Sequence, residues 1–313
     1  MTAYLIRRVL QAGVVLFGVS IIVFILLHLL PGGPARAVLG PRANQVQILA
    51  FEREYGLLKP LPLQYLAWAN QLIHGNLGFS FKQNQTVDAL LGENLPRTAL
   101  LVGVATLLAL LIAVPLGIYQ AVRRNRPDDY VLTGASFLFY SMPTFFLGII
   151  LIILFSDTFP ILPSTGPQST ASLWSQIPNL ILPIATLCLV TLALFSRYMR
   201  SSMLENMVQD YVRTARAKGV SDRGVLFKHV LRNALIPIVT LIGLSLPGIL
   251  SGALVTESLF NYPGMGLLFW SAAQNQDYPV LLGTTMVVGV AVVVGSLLAD
   301  ILYAVVDPRV RYA

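Results

Sequence analysis

The sequence has little charge and almost no cysteine. Of its 313 residues, 11% are charged, 56% are apolar or aromatic, and one is a cysteine. A soluble domain carries about 25% charged residues, and a disordered chain combines low hydrophobicity with high charge, so both classes are excluded. A lone cysteine also excludes an intrachain disulfide and a cysteine cluster for metal. The composition is that of an integral membrane protein.

Motifs for catalysis and nucleotide binding are missing as well. The sequence contains no phosphate-binding G-x-x-x-x-G-K-[ST], no H-E-x-x-H and no G-x-S-x-G. The apolar stretches carry no ionisable residue near their centres, where ion-coupled transporters and pumps bind their coupling ion. We therefore predict no catalytic residue, no metal site and no cofactor bound by this chain. If the protein drives uphill transport, the energy comes from another subunit.

Six apolar stretches are long enough to cross a membrane as helices, which takes about 20 residues each. The first could be mistaken for a secretory signal, but its 22 residues exceed the usual apolar core of about 7 to 15, so we expect it to be retained. The sequence thus predicts an all-α polytopic membrane protein with six transmembrane helices. The predicted spans are Val9–Leu30, Thr98–Val122, Tyr130–Phe155, Asn179–Ser196, Ala234–Val255 and Pro279–Val306.

The positive charges lie on one side of these spans. The N-terminus, the loops 123–129 and 197–233 and the C-terminal tail hold 15 of the 21 Lys and Arg residues, whereas the loops 156–178 and 256–278 hold none. The other six lie in the long segment 31–97. Because cytoplasmic loops carry the excess of Lys and Arg, we predict that both termini are cytoplasmic. The basic pI of about 9.7 then requires no nucleic acid partner.

The segment 31–97 is predicted to be a large external insert after the first helix. Prolines and glycines punctuate it, and its apolar spacing indicates short amphipathic helices near Val46–Tyr55 and Gln64–Ile73. We interpret this insert as an external cap on the membrane helices.

The loop 197–233 is predicted to contain two helices joined at a glycine. Basic residues and then Gly219 mark the end of the first helix, and Ser221 or Asp222 caps the second, which continues into span five. Two interpretations fit this pattern: a hairpin lying on anionic lipid, or a docking surface for a soluble subunit. The apolar residues placed on one face of the first helix are Leu204, Met207, Val208, Tyr211, Val212 and Ala215.

This loop resembles the ATPase-docking loop of bacterial ABC importer permeases. The resemblance is carried by the segments Asp210–Gly219 and His229–Pro237, and the segments Tyr4–Ala35, Glu257–Gly266 and Asp300–Tyr312 agree with it. These segments resemble in particular the dipeptide/oligopeptide (and nickel) permease family, and within it the first, B-type, permease of the heterodimer. The Glu-Ala-Ala of the broader importer pattern is absent, because Arg213-Thr214-Ala215 occupies those positions. A salt bridge made by that Glu elsewhere is therefore not carried over.

The resemblance implies a type I ABC importer permease fold, with residues 1–313 as one transmembrane permease domain. It further implies a heterodimer with a second homologous permease, two ATP-binding cassette subunits that bind ATP and Mg, an external substrate-binding protein, and a bacterial or archaeal plasma or inner membrane with its lipid. The loop 203–232 would couple the permease to the ATPases. The residues it assigns to that docking are Tyr211, Arg213, Thr214, Ala215, Lys218, Gly219, Asp222, His229 and Arg232.

The implied cargo is a peptide, and dipeptide, longer peptide, glutathione, haem and nickel chelate remain open. Four residues after span five, Glu257, Phe260, Pro263 and Gly264, are candidates for the translocation path or for contact with the binding protein. Glu257 equally fits a role as a cap of a short external helix. The alternative functions are a membrane scaffold or sensor that does not transport, and a secondary transporter.

Overall fold

The computed structural model describes residues 2–29, 33–40, 42–167, 173–251 and 253–306. Gly252 and the tail from Asp307, which belongs to one of the resembling segments, lie outside the described residues. In the described residues, the regular secondary structure is helical apart from one hairpin. The helices of the first part are α1 (Thr2–His28), α2 (Gly33–Leu39), α3 (Gln45–Glu54), α4 (Leu61–Ile73) and α5 (Val87–Val122), and strands β1 (Phe79–Ser80) and β2 (Gln85–Thr86) pair antiparallel before α5.

The described residues of the second part form helices joined by turns and loops, with two π-helical turns at Ile153–Thr158 and Val225–Val230. The helices are α6 (Pro127–Ser141), α7 (Thr144–Ile152), α8 (Leu173–Met207), α9 (Asp210–Ala217), α10 (Asp222–Gly224), α11 (Leu231–Ala234), α12 (Ile236–Ser251), α13 (Leu254–Leu259), α14 (Met265–Gln274) and α15 (Tyr278–Val306).

Four helices among the described residues are long and apolar enough to cross a membrane: Val87–Val122, Gln176–Met207, Asp222–Ser245 and Tyr278–Leu298. The pair Pro127–Ser141 and Thr144–Thr158 supplies a fifth only if it counts as one span, because it is bent by 105°. The first predicted span lies in α1, a continuous helix of 27 residues. The six predicted apolar stretches thus all coincide with helices.

The break in the third predicted span, Tyr130–Phe155, has a local cause. Met142 is extended, with φ −74° and ψ 132°, as expected for a residue before a proline. Pro143 then has no N–H to continue the hydrogen bonding of α6, and α7 starts at Thr144 in a new direction. The prediction of one continuous span was therefore wrong at this point.

The chain divides into two compact units. The first comprises residues 1–99, 250–254 and 263–294. Its buried apolar cluster joins the start of α5 to α14 and α15. The cluster consists of Val87, Leu90, Leu91, Met265, Leu268, Ala272 and Val280.

The two predicted short helices of the insert are confirmed as α3 and α4. Helix α4 begins at Leu61, three residues before its predicted start, because proline is favourable in the first turn of a helix.

The hairpin of the first unit was not predicted from the sequence. A hydrogen bond holds it beside the start of α15. The Ser80 hydroxyl donates a hydrogen bond to the carboxylate of Asp277, the residue that directly precedes α15. Ser80 and Asp277 are both buried.

The second unit comprises residues 100–249, 255–262 and 295–313. Helices α5 and α8 approach closely at Gly117, where a Cβ atom would lie 2.6 Å from Met199 Cβ and 2.8 Å from the Ser196 carbonyl oxygen. Glycine at this position lets the two helices pack backbone to side chain. The main buried cluster of the unit lies beside this crossing and includes Ala121, Met199, Met203, Val212, Ala215, Val225, Val230, Ala234 and Ile238.

Candidate functional site

The candidate site is the helix pair formed by α9 and the helix that starts at Asp222. The predicted apolar stripe exists, and its central residues Val212 and Ala215 are buried against Met199 and Met203 of α8. The stripe therefore packs α9 against the ends of α5 and α8. A partner that docks on α9 must consequently use its other face.

The first predicted helix is interrupted, which corrects part of the prediction. Leu204 and Met207 belong to α8, which ends at Met207, and α9 starts at Asp210 after an extended Gln209 with φ −70° and ψ 153°. Val208 lies in this break and is largely exposed, so it is not part of the stripe. A hydrogen bond of 2.8 Å from Tyr211 Oη to Asn206 Oδ1 spans the break.

The bend at Gly219 follows the prediction. Its φ is +79°, a conformation that glycine adopts without steric cost. The Val220 N–H donates to the Ala215 carbonyl (3.2 Å) and the Gly219 N–H to the Arg216 carbonyl (2.9 Å), which is the Schellman arrangement for ending a helix. The bend is thus formed by two backbone hydrogen bonds and a glycine in the left-handed conformation.

The second helix starts immediately after the bend. Of the two predicted caps, Ser221 is the N-cap, and its Oγ accepts a hydrogen bond of 3.3 Å from the Gly224 N–H. Asp222 lies in the first turn, where a carboxylate suits the helix dipole, and its Oδ1 is 3.7 Å from Arg216 Nε across the bend. The helix continues through the π-helical turn into α11 and α12, as predicted except for that turn.

The docking residues predicted from the resemblance all lie on this helix pair, and most of them are exposed. Ala215 is buried and His229 is half-buried. Thr214 Oγ1 donates to the Asp210 carbonyl (3.0 Å), and Arg213 pairs with Asp210 at 3.3 Å within the same helix. Among the charged exposed residues, Arg213, Lys218 and Arg232 are basic and Asp222 is acidic, so this surface carries a net positive charge. The exposed members are Tyr211, Arg213, Thr214, Lys218, Gly219, Asp222 and Arg232.

A cavity of about 400 Å³ opens at this helix pair. Its walls are apolar side chains from the ends of α5 and α8 and from both helices of the pair, and charged side chains of Arg216, Asp222 and Arg223 stand at it. A cavity with apolar walls and charged neighbours can receive an apolar side chain together with a charged one.

The sequence analysis missed the ion pair that fixes α8 beside this site. Asp129, 1% exposed at the start of α6, accepts hydrogen bonds of 2.8 Å from both Nε and Nη2 of Arg200. The sequence analysis counted Arg200 only as a basic loop residue and did not consider Asp129. An acid directly before one predicted span and an arginine after the end of the next were the available signal.

Arg197 is a second missed contact of α8. Its guanidinium carbon lies 4.2 Å from the ring centroid of Phe137 and 4.8 Å from that of Tyr140. Such cation–π contacts stabilise a cation near the membrane by about 0.5 to 2 kcal/mol. Together with the Asp129 pair, they hold the end of α8 against α6.

The four residues after span five occupy less accessible positions. Glu257 in α13 and Phe260 after it are fully buried, and the Phe260 carbonyl accepts a hydrogen bond of 2.6 Å from the Gly166 N–H. Pro263 is half-buried, and Gly264 is the buried, extended N-cap of α14. In this conformation neither Glu257 nor Phe260 offers side-chain surface to a peptide or a binding protein.

Comparison with known proteins shows the family. The model of binding-protein-dependent transport system inner membrane components matches residues 113–312, and the model of the N-terminal region of such components matches residues 1–102. Among curated proteins, the oligopeptide transport system permease protein AppB of Bacillus subtilis is 41% identical over 316 residues, covering 100% of both chains. The glutathione transport system permease protein GsiC of Escherichia coli O6:H1 is 36% identical over 312 residues, again covering 100% of both.

A solved structure shares the fold. The MetNI methionine ABC transporter in an inward-facing conformation matches with a TM-score of 0.55 at 17% identity, covering 70% of this chain and 96% of that chain. The fold is that of a type I ABC importer permease. The chain therefore belongs to the inner membrane components of binding-protein-dependent transport systems, the membrane-spanning permease subunits of ABC transporters.

Proposed function

We propose that this chain is one permease of an ATP-driven peptide importer and that the α9 helix pair is its docking site for an ATPase subunit. The docking assignment is based on the two faces of α9. Its apolar face is buried against α8, and its exposed face carries more basic than acidic residues. A helix that lay on lipid would instead turn its apolar face outward. The lipid-bound alternative is therefore disfavoured.

The proposal that the cargo is a peptide is based on the names of related proteins. AppB is named an oligopeptide permease, and the DppB protein of Alkalihalophilus pseudofirmus, 35% identical over 333 residues and covering 100% of both chains, is named a dipeptide permease. A peptide path has to accept variable side chains, so we expect it to contact mainly peptide backbone and termini. Selectivity then belongs largely to the external binding protein.

We propose the complete assembly as two different permeases, two ATP-binding cassette subunits and one external binding protein. ATP and Mg would bind on the cassette subunits. Both termini of this chain would be cytoplasmic, in a bacterial or archaeal plasma membrane, because this orientation places the basic α9 surface beside the ATPases and satisfies the positive-inside rule.

In this mechanism, ATP binding closes the two ATPases and draws the two docked helix pairs together. Helix α9 is packed on α8, and α8 is fixed to α6 by the Arg200–Asp129 pair. Movement of α9 is therefore transmitted to the membrane helices as a rigid body, which is alternating access by rocking.

Purification from the native membrane in mild detergent tests the composition of the assembly. We expect mass spectrometry to find two chains with phosphate-binding motifs and a second permease with the tagged chain. The added binding protein, loaded with peptide, should stimulate ATP hydrolysis. Recovery of the chain alone, under conditions that keep another importer intact, would contradict the proposal.

A further inference from the structure

Helix α4 carries no charged residue in its 13 positions, unlike the neighbouring α3, which contains Glu52, Arg53 and Glu54. One side of α4 exposes Leu63, Leu66 and Ile73, which are 52%, 61% and 83% exposed. Their spacing of three and seven places them on one helix face, which they share with Ala67 and Asn70. Apolar side chains this exposed on one uncharged helix indicate a surface that is covered by something other than water.

The opposite face of α4 packs along α1. Tyr65 lies with its ring centroid 5.4 Å from that of Phe24 and 6.3 Å from that of Phe17, and its Oη is 2.8 Å from Ser20 Oγ. Trp68 adds a ring contact with Phe24 at 5.7 Å. The aromatic side chains of α4 thus reach a stretch of α1 that extends from Phe17 to Phe24.

One hydrogen bond fixes where α4 begins along α1. Gln64 Oε1 lies 3.0 Å from His28 Nε2, and Gln64 Nε2 donates to the carbonyl oxygens of Leu57 (2.8 Å) and Lys59 (2.7 Å). The polar end of α4 is therefore level with the end of α1, and Tyr65 extends from there towards the middle of α1.

These contacts locate α4 along the uncharged part of α1. Helix α1 runs from Thr2 to His28 and its sequence is uncharged from Val9 to Leu27, so Phe24 lies within this stretch and Phe17 near its middle. At about 1.5 Å per residue, Phe17 is about 15 Å from the Leu27 end, which is close to half of the ~30 Å hydrocarbon layer. Helix α4 therefore lies beside the end of a membrane helix, whereas the sequence analysis assigned it to a cap outside the membrane.

We propose that α4 is an interfacial membrane helix and that lipid acyl chains cover its Leu63, Leu66 and Ile73 face. The absence of charge and the tyrosine and tryptophan, which favour the membrane–water interface, fit this environment. Val14, in the uncharged part of α1, is exposed as well. The lipid contact itself does not depend on the proposed function. With the proposed orientation of the chain, α4 lies at the outer leaflet.

Spin-label accessibility tests this contact directly. A nitroxide is attached at Leu66→Cys in a Cys188→Ala background, in the complex as purified and reconstituted into phosphatidylethanolamine and phosphatidylglycerol vesicles. Collision with oxygen reports lipid, and collision with a neutral water-soluble nickel chelate reports water. Labels at two other exposed positions give reference collision rates: Val14→Cys on α1 for lipid and Val46→Cys on the charged α3 for water.

We expect position 66 to match position 14, with frequent oxygen collisions and at least fivefold fewer nickel collisions than position 46. Nickel access equal to that at position 46 would place α4 in water and overturn the proposal. Low access to both reagents would show that another protein subunit covers the face, which would overturn it as well. Because Leu63 and Leu66 are both exposed, a second label at Leu63→Cys checks the result without disturbing a buried contact.

Discussion

Arg200 forms a bidentate ion pair with Asp129, with two hydrogen bonds of 2.8 Å. The Asp129 carboxylate also accepts the Asn125 N–H at 3.1 Å and the Thr133 hydroxyl at 3.3 Å. Arg200 lies about two turns before the end of α8, next to the helix that carries the candidate docking surface. This pair is therefore the firmest polar connection between that part of α8 and the start of α6.

Loss of the Asp129 carboxylate should destabilise the second unit. Asp129→Ala leaves the partly buried Arg200 without its partner, and breaking a buried pair costs about 3 to 5 kcal/mol; because a quarter of the Arg200 side chain is exposed, we expect about 2 to 3 kcal/mol. Thermal unfolding in detergent measures the loss. The neighbouring Asp128→Ala is the matched control: its contacts with Arg123 at 3.4 Å and with the Tyr119 hydroxyl at 2.6 Å are partly exposed, so we expect a smaller loss of about 1 kcal/mol. Equal losses in both variants would contradict this account.

The close approach of α5 and α8 predicts that Gly117 tolerates no side chain. In Gly117→Ala, the new Cβ would lie 2.6 Å from Met199 Cβ and 2.8 Å from the backbone oxygen of Ser196, so the helices must separate, at a cost of about 1 to 3 kcal/mol. Gly103→Ala, on the same helix with no atom within 4 Å, should have no such cost. The melting temperatures of the two variants compare them, and a stable Gly117→Ala protein would show that the helices pack differently.

The bend at Gly219 predicts a separation of ATP hydrolysis from transport. In Gly219→Val, a β-branched residue at a φ of +79° adds strain of about 1 to 3 kcal/mol and should shift α9 relative to the second helix. We expect the complex to assemble but its ATP hydrolysis to lose most of its stimulation by loaded binding protein, with peptide uptake lowered at least tenfold.

Two variants control for bulk and for backbone conformation at the bend. Ala217→Val adds the same side chain at an exposed helical position of α9 without straining the bend, and should lower coupling much less than Gly219→Val. Gly219→Asn should retain most of it, since asparagine tolerates the left-handed conformation. Normal peptide uptake by Gly219→Val would rule out a role of this bend in coupling.

The basic face of α9 predicts an electrostatic contribution to ATPase docking. Arg213→Glu reverses a charge on an exposed side chain, and juxtaposed like charges weaken an interface by several kcal/mol at most. We therefore expect about tenfold or more weaker retention of the ATPase subunits than in the unmutated chain, and a smaller difference at high salt, where the repulsion is screened. Arg124→Glu is the control, an exposed arginine in the turn before α6. If both reversals weaken retention equally, the interface is not centred on α9.

Local signals made much of the coupling region predictable. The end of α9 could be predicted because Arg216, Lys218 and Gly219 are close in sequence and act on the same helix end. The cap at Ser221 was one of two candidates for the same reason. The break after Met207 was not predictable, because the apolar spacing continues across it and no proline or glycine marks it.

Other features depended on contacts between distant residues. Arg200 and Asp129 are separated by 71 positions, and their positions at the ends of successive predicted spans are the signal in the sequence that relates them. Helix α4 was predicted as an element, but its depth depends on Tyr65 and Gln64 meeting Phe17 and His28, which only the folded chain shows. The burial of Glu257 was likewise missed, because a carboxylate in a loop next to a membrane span is expected to be exposed.

Peptide uptake by reconstituted complex tests the central claim most directly. The purified assembly, in proteoliposomes with the external binding protein and a labelled peptide, is supplied with ATP on the side of α9, and accumulation of the label is measured with and without ion gradients. The account predicts accumulation that requires ATP hydrolysis and binding protein and is unaffected by collapsing proton and sodium gradients. Accumulation driven by an ion gradient without ATP, or none with any peptide while ATP is hydrolysed, would contradict it.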